Sequence, residues 1–307
     1  MKGNQPQKGR TTSAPHLPAK PQAFLLHGKT RIDEYTWLQD SKEPEVVAAM
    51  KQENEYAEKI IISNETPHTK IYTEIKSRIT ENDMSVPVRH GPYSYYARTK
   101  KGKSYAIHCR REGERGKEEI ILDENLLAKD SDYFSLAEMD LSPDQRLLAY
   151  AIDQKGDENH TLYIKNIETG ELLSERMQSV GDIKWSEDGQ YIFYTREDHP
   201  HPPRRVYRHR LGESQADDVL IYEEKDPQWY VALGKSRSRE FIFIYAANYT
   251  TTETRFIPAR EPLTPPRLIA PRKAKVRYYV EHHGGFFYIT TNEHAVNYKI
   301  MRTPTHS

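Results

Sequence analysis

The 307-residue sequence predicts an all-β chain of propeller type behind an N-terminal helical arm. Three observations predict it. From Val86 onward, short segments rich in Tyr, Ile, Val, Phe and Thr replace any helical period. Turn clusters such as KKGK, REGERGK, SPDQ, ETGE and EDGQ separate them. And one pattern recurs: MDLSPDQRLLAYAID (Met139–Asp153) returns as IKWSEDGQYIFYTRE (Ile183–Glu197), an apolar residue, a polar turn with Ser and Asp, then an apolar strand. Aligning that strand gives the copies PYSYYAR, QRLLAYA, GQYIFYT, REFIFIY and GGFFYIT, spaced by about 44–54 residues. A period of about 45 residues holding three to four short strands is that of a propeller blade. A two-sheet sandwich, the competing all-β form, does not normally repeat at a fixed period.

The elements follow in order. Residues 1–23 are rich in Pro, Gln, Lys and Thr, too polar to order themselves, and are expected to form a loose tail. Residues 24–82 form the arm. Phe24–Asp40 reads as a compact polar segment with apolar anchors. Ser41–Asn64 reads as a helix, with Ser41 as N-cap and Pro44 in the first turn. Val46, Met50, Ala57, Ile60 and Ile61 share one of its faces. Pro67 starts a second helix capped by Thr66, with Ile71, Ile75 and Ile79 along one stripe. Residues 83–307 are the blades, interrupted only by a short helix near Asn125–Asp130.

Bulk composition narrows the function. Lys+Arg and Asp+Glu both number 45, which argues against a protein that lives on phosphate contacts. Cys109 is the single cysteine, so no intrachain disulfide forms and a reducing compartment fits. No run of about 18 apolar residues exists, and the basic N-terminus lacks the apolar core of a signal peptide, so a cytoplasmic protein without membrane or nucleic-acid partners is expected.

Candidate chemistry is sparse. No G-x-S-x-G elbow occurs; GKSYA (Gly102–Ala106) and GKSRS (Gly234–Ser238) each lack the second glycine. Cys109 follows His108, but neighbours on a strand point to opposite faces, so the two side chains cannot pair. His199 and His201 sit among prolines without a third ligand, and His282-His283 precede Gly284-Gly285 as part of a turn. The basic runs RRVYRHR and PRKAKVR split their charges between two strand faces. No metal, no cofactor and no catalytic residue are expected.

Several long stretches together resemble a known family. They are DEYTWLQD (Asp33–Asp40) with the helical EPEVVAAMKQENEYAEKII after it, Tyr93–Arg111, Glu118–Asp153, Arg204–Asp226, Leu233–Ile244 and Tyr288–Pro304. Over about residues 24–304 the chain resembles the prolyl oligopeptidase family of serine peptidases, and within it the oligopeptidase B (protease II) group. The resemblance implies a seven-bladed propeller capping an α/β-hydrolase domain, with the active site between them and the N-terminal arm packed along the hydrolase. It implies cleavage of short peptides after Lys or Arg by a Ser-Asp-His triad, with the propeller limiting entry to small peptides. Measured against it, this sequence holds about five of seven blades, an incomplete propeller. Two blades and the triad would lie beyond Ser307, so the chain is expected to be inactive alone and to need the hydrolase domain as partner, on a separate chain if one exists. A stand-alone interaction module or a non-functional relic are the other readings. The resemblance marks one residue: Glu158, in QKGDENHTL, matches a carboxylate that faces the hydrolase domain and pairs with an arginine near the substrate. Asp157 is its immediate neighbour, and an exposed turn glutamate is the plain alternative. Leaving about 500 Å² of open blade face wet would forfeit on the order of 10 kcal/mol.

Overall fold

The computed structural model describes residues 13–62, 65–198 and 201–306. It falls into two units, one ending at Glu81 and one running from Asn82.

In the first unit, β1 (Gln22–Leu26) and β2 (Lys29–Asp33) form a hairpin. Its two turn residues, His27 and Gly28, have φ of 51° and 74°, the left-handed pair that a two-residue hairpin turn needs. This hairpin stands where a compact polar segment was expected, and β1 begins inside the segment read as tail. Pro18 is tied down too, its carbonyl accepting from Trp37 Nε1 at 3.1 Å. Helix α1 spans Pro44–Ile62 and α2 spans Glu65–Ser77. The expected caps are both displaced. Ser41 lies in a turn organised by Asp40, which accepts from Lys42 N through its carboxylate at 3.0 Å and from Glu43 N through its carbonyl at 3.2 Å. Thr66 lies inside α2, and Asn64 falls outside the described residues. Val46 and Ala49 of α1 are buried, but Ile71, Tyr72 and Ile75 of α2, and Ile79 beyond it, are all more than half exposed.

The second unit is five antiparallel sheets in sequence order. The first is β3 (Val88–His90), β4 (Tyr93–Arg98), β5 (Ile107–Glu112) and β6 (Glu119–Asp123), followed by the short helix α3 (Glu124–Leu127). The second is β7 (Ser135–Leu141), β8 (Leu147–Asp153), β9 (Thr161–Asn166) and β10 (Leu172–Gln178). The third is β11 (Val180–Trp185), β12 (Tyr191–Asp198), β13 (His201–Arg210) and β14 (Val219–Glu223). The fourth is β15 (Tyr230–Lys235), β16 (Phe241–Ala247), β17 (Thr252–Pro258) and β18 (Arg267–Leu268). The fifth has three strands, β19 (Tyr278–His283), β20 (Phe286–Thr291) and β21 (Lys299–Pro304). The unit is thus a five-bladed, incomplete propeller.

The repeated sequence is the turn from first to second strand plus the second strand itself. Ser142 Oγ donates to Asp144 at 2.6 Å and accepts from Leu147 N at 2.9 Å. Ser186 repeats this with Asp188 at 2.5 Å and Tyr191 N at 3.0 Å. Ser236 keeps the serine's acceptor role for Phe241 N at 3.0 Å, with Ser238 in place of the aspartate. The second strands of the three inner sheets, β8, β12 and β16, are nearly continuous apolar runs because both their faces are covered by neighbouring blades.

Four core clusters of described residues lie between consecutive sheets. Leu122, Phe134 and Tyr150 join the first to the second; Leu162, Trp185 and Tyr194 the second to the third; Val206, Trp229 and Ile242 the third to the fourth; and Phe243, Tyr278 and Phe287 the fourth to the fifth. No such cluster of described residues joins the fifth sheet to the first. The first strands, β7, β11 and β15, lie side by side and are stitched by acids. Asp140 accepts from Trp185 N at 3.0 Å, while Trp185 Nε1 donates to the Asp140 carbonyl at 3.1 Å. Asp182 accepts from Leu233 N at 2.7 Å. Burial pushes the Asp140 carboxyl up, against the pull of Lys184 and Lys235.

His282 and His283 are corrected by the fold: they are strand residues of β19, and the turn comes after them. His282 is buried because Phe241 and Phe287 pack its ring at centroid distances of 4.7 and 5.7 Å.

Candidate functional site

In every sheet the first strand runs toward the repeated turn and the second returns. The starts of the first strands and the second-to-third connections therefore gather at one end of the unit. The chain also enters the first sheet there, Met84 pairing with Arg98 at the close of β4. Two features occupy this end.

The first is the β8–β9 turn with Glu158. Asp153 organises it: Oδ1 accepts from Lys155 N at 2.7 Å and Gly156 N at 3.0 Å, and Oδ2 accepts from Glu158 N at 2.9 Å. Burial works to raise the Asp153 carboxyl, but these three donors outweigh it and hold the group below the usual carboxylate range. Glu158 has a left-handed φ of 58° and is exposed. Asp157 instead lines a cavity of about 130 Å³ beside the turn, shared with Asn159, Tyr163 and Arg176. Both acids flagged from sequence are exposed, and of the two only Asp157 borders the polar recess.

The second feature was not anticipated. It is an open cleft of about 920 Å³ lined chiefly by Trp229, Tyr230, Tyr245, Tyr249, Arg277 and Tyr279. It forms because small residues sit where large ones could: Ala247 pairs across the sheet with Tyr230, and Ala232 with Tyr245. Trp229 is fixed from behind by Arg272, whose guanidinium lies 3.9 Å from its ring centroid. Arg272 in turn donates to Glu224 at 2.7 Å and Glu253 at 3.2 Å. Burial opposes the Arg272 charge, but these carboxylates reinforce it and its pKa rises. The sequence signal was present in PQWYVA, AANYTT and RYYVE, but the three are far apart along the chain.

The remaining candidates resolve plainly. Ser104 is exposed in the β4–β5 connection, and Ser236 is a turn serine. Ser238, His282 and Glu240 do come together, at 2.8 Å for Ser238 Oγ and 3.8 Å for the Glu240 carboxylate, both measured to His282 Nδ1. A proton relay needs the serine on one ring nitrogen and the acid on the other, so this is not a catalytic triad. Cys109 is buried and its thiol is pushed up to about 11 by burial; His108 turns away to Glu124 at 2.7 Å. Acids engage part of each basic run, Arg205 with Glu223, Arg210 with Glu213, and Lys273 with Glu293. His199 and the side chain of His201 lie outside the described residues. Among the described residues no cluster of three or more His, Cys, Asp or Glu could hold a metal ion, and no helix is long and apolar enough to cross a membrane.

The family model for the prolyl oligopeptidase N-terminal β-propeller domain matches residues 15–307. Protease 2 of Moraxella lacunata is 38% identical over 293 residues, covering 92% of this chain and 42% of that protein. Dipeptidyl aminopeptidase BI of Pseudoxanthomonas mexicana is 36% identical, covering 97% of this chain and 44% of that protein. Oligopeptidase B from Leishmania major superposes with a TM-score of 0.89 at 29% identity, covering 96% of this chain and 45% of that one. This chain therefore spans less than half the length of these relatives. Its five consecutive blades, its serine turns and these matches agree: the chain belongs to the prolyl oligopeptidase family, as the N-terminal β-propeller domain.

Proposed function

We propose that this chain is the substrate-gating portion of a serine oligopeptidase of the oligopeptidase B type. Such an enzyme would cleave short peptides after Lys or Arg, with its triad on an α/β-hydrolase domain outside the residues of this chain. The chain alone would then hydrolyse nothing. The observation that carries this reading is Glu158, an exposed carboxylate on a turn fixed by Asp153, at the end of the propeller where the chain enters. A carboxylate carried on a fixed stretch of backbone suits pairing with an arginine across an interdomain cavity, or with a basic substrate. The bare apolar stripe of α2 (Ile71, Tyr72 and Ile75) with Ile79 beyond it fits an arm that packs on a hydrolase domain. Buried, reduced Cys109 suits a cytoplasmic setting.

The test is complementation. The chain is mixed with the separately produced hydrolase domain of an oligopeptidase B, and cleavage of a fluorogenic Arg peptide is followed. We expect no turnover from the chain alone, turnover from the mixture, and a raised KM with Glu158→Gln. Turnover by the chain alone, with labelling by a serine-directed phosphonate, would overturn the reading. A second reading, a stand-alone propeller that binds other molecules, is favoured by the aromatic cleft at the same end.

A further inference from the structure

We infer that the aromatic cleft between the fourth and fifth blades is a binding site for the C-terminal end of a short apolar peptide, with the free carboxylate held by Arg277. Four observations converge on it. The cleft's volume of about 920 Å³ falls within the ~300–1,000 Å³ of small-ligand sites, so it admits a few residues and not a folded domain. Its walls are flat rings, Trp229, Tyr230, Tyr249 and Tyr279, which take apolar and aromatic side chains at little entropic cost. Arg277 is the one charged residue among its described lining, and no described residue pairs with its guanidinium, so charge complementarity asks for an anion. And three of the lining rings are held in place: Trp229 is backed by Arg272, the Tyr278 hydroxyl donates to Ala270 O at 2.7 Å and accepts from Thr254 N at 2.8 Å, and the Tyr279 ring stacks on Tyr298 at 6.4 Å.

An apolar wall with one guanidinium selects a ligand that is apolar along its length and anionic at one end. A peptide's C-terminal residue has that form. An acid among the lining residues would have neutralised Arg277 internally, and a second cation would have asked for a phosphate. Every described wall of the cleft comes from this chain.

The test uses the 307-residue chain and two probes, the tripeptide Leu-Pro-Phe with a free C-terminal carboxylate and the same tripeptide amidated. Binding is read by titration calorimetry and by tryptophan fluorescence. The acid is expected to bind and to perturb the fluorescence of Trp229, a signal lost in Trp229→Phe. Amidation and Arg277→Gln are each expected to weaken binding roughly ten-fold, the loss of one charge-assisted contact. Tyr249→Ala, at a side chain 92% exposed and so without burden on folding, is expected to weaken it as well. Glu158→Gln is expected to leave binding unchanged, which separates this site from the gating role of that residue. Equal affinity for acid and amide, retained binding in both Arg277→Gln and Tyr249→Ala, or no binding by a chain whose thermal melt is cooperative would each overturn the inference.

Discussion

Gly234 and Tyr245 are locked together: a Cβ on Gly234 would stand 2.7 Å from Tyr245 Cε2 and 3.1 Å from its hydroxyl. The glycine that resembles half of a nucleophile elbow is there to seat a tyrosine ring that lines the cleft. Burial pushes that phenol up to about 12. Gly234→Ala should therefore force the ring outward, at about 1–3 kcal/mol for an overpacked site. A thermal midpoint several degrees lower, with weaker peptide binding in the cleft, is expected. An unchanged midpoint would show that the ring moves aside freely.

Asp153 and Asp140 should give pH dependences of opposite sign. The Asp153 carboxyl is held below its usual range in the fold, so its stabilisation is present above the unfolded value and lost as pH falls through the folded one. Asp153→Asn should cost about 1–3 kcal/mol at neutral pH, the gap from the parent narrowing toward pH 3. Urea midpoints across that range check it.

Asp140 is raised, so its charged form is the one the fold disfavours. Its stabilisation is present below the unfolded value and lost as pH rises through the folded one. Asp140→Asn keeps an acceptor for Trp185 N and removes the charge. It should stabilise at pH 7 by on the order of 1 kcal/mol and match the parent near pH 3. A variant less stable at pH 7 would mean that Lys184 and Lys235 need the carboxylate.

Cys109 offers a probe of the first blade. With the thiol pushed up to about 11, roughly a thousandth is thiolate at pH 8, and the sulfur is almost fully covered. Reaction with an aromatic disulfide reagent should be at least about 100-fold slower in native protein than in denaturant. Equal rates would mean the first blade is already open.

Ile71→Ser together with Ile75→Ser should leave the melt of the chain nearly unchanged, within about 0.5 kcal/mol, because both side chains are more than half exposed. The same pair should abolish complementation by a hydrolase domain. Unimpaired complementation would remove the stripe from that interface.

What the sequence disclosed follows the physics of each element. The inner second strands β8, β12 and β16 are legible because both faces are buried and a serine turn precedes each. Their first-strand partners are less so, since Glu138, Asp140 and Asp182 interrupt the apolar pattern to bind backbone of the next blade. The β1–β2 hairpin was hidden by a His-Gly turn, where histidine supplies the left-handed residue more often given by asparagine or aspartate. His282 and His283 looked like turn residues because two glycines follow them, yet His282 is held in a strand by aromatic neighbours. Glu158 could be named from a sequence match, but its placement depends on Asp153, five residues away. The cleft was invisible because three separated segments assemble it.

Since each apolar cluster that joins sheets joins only adjacent ones, cohesion here is linear, like that of a stack held by its nearest contacts. The middle member, with Trp185 and Phe193 sealed on either side, should surrender its amide hydrogens last. Unravelling would begin at β21, whose outer edge leaves Ile300 and Met301 bare, and travel inward blade by blade.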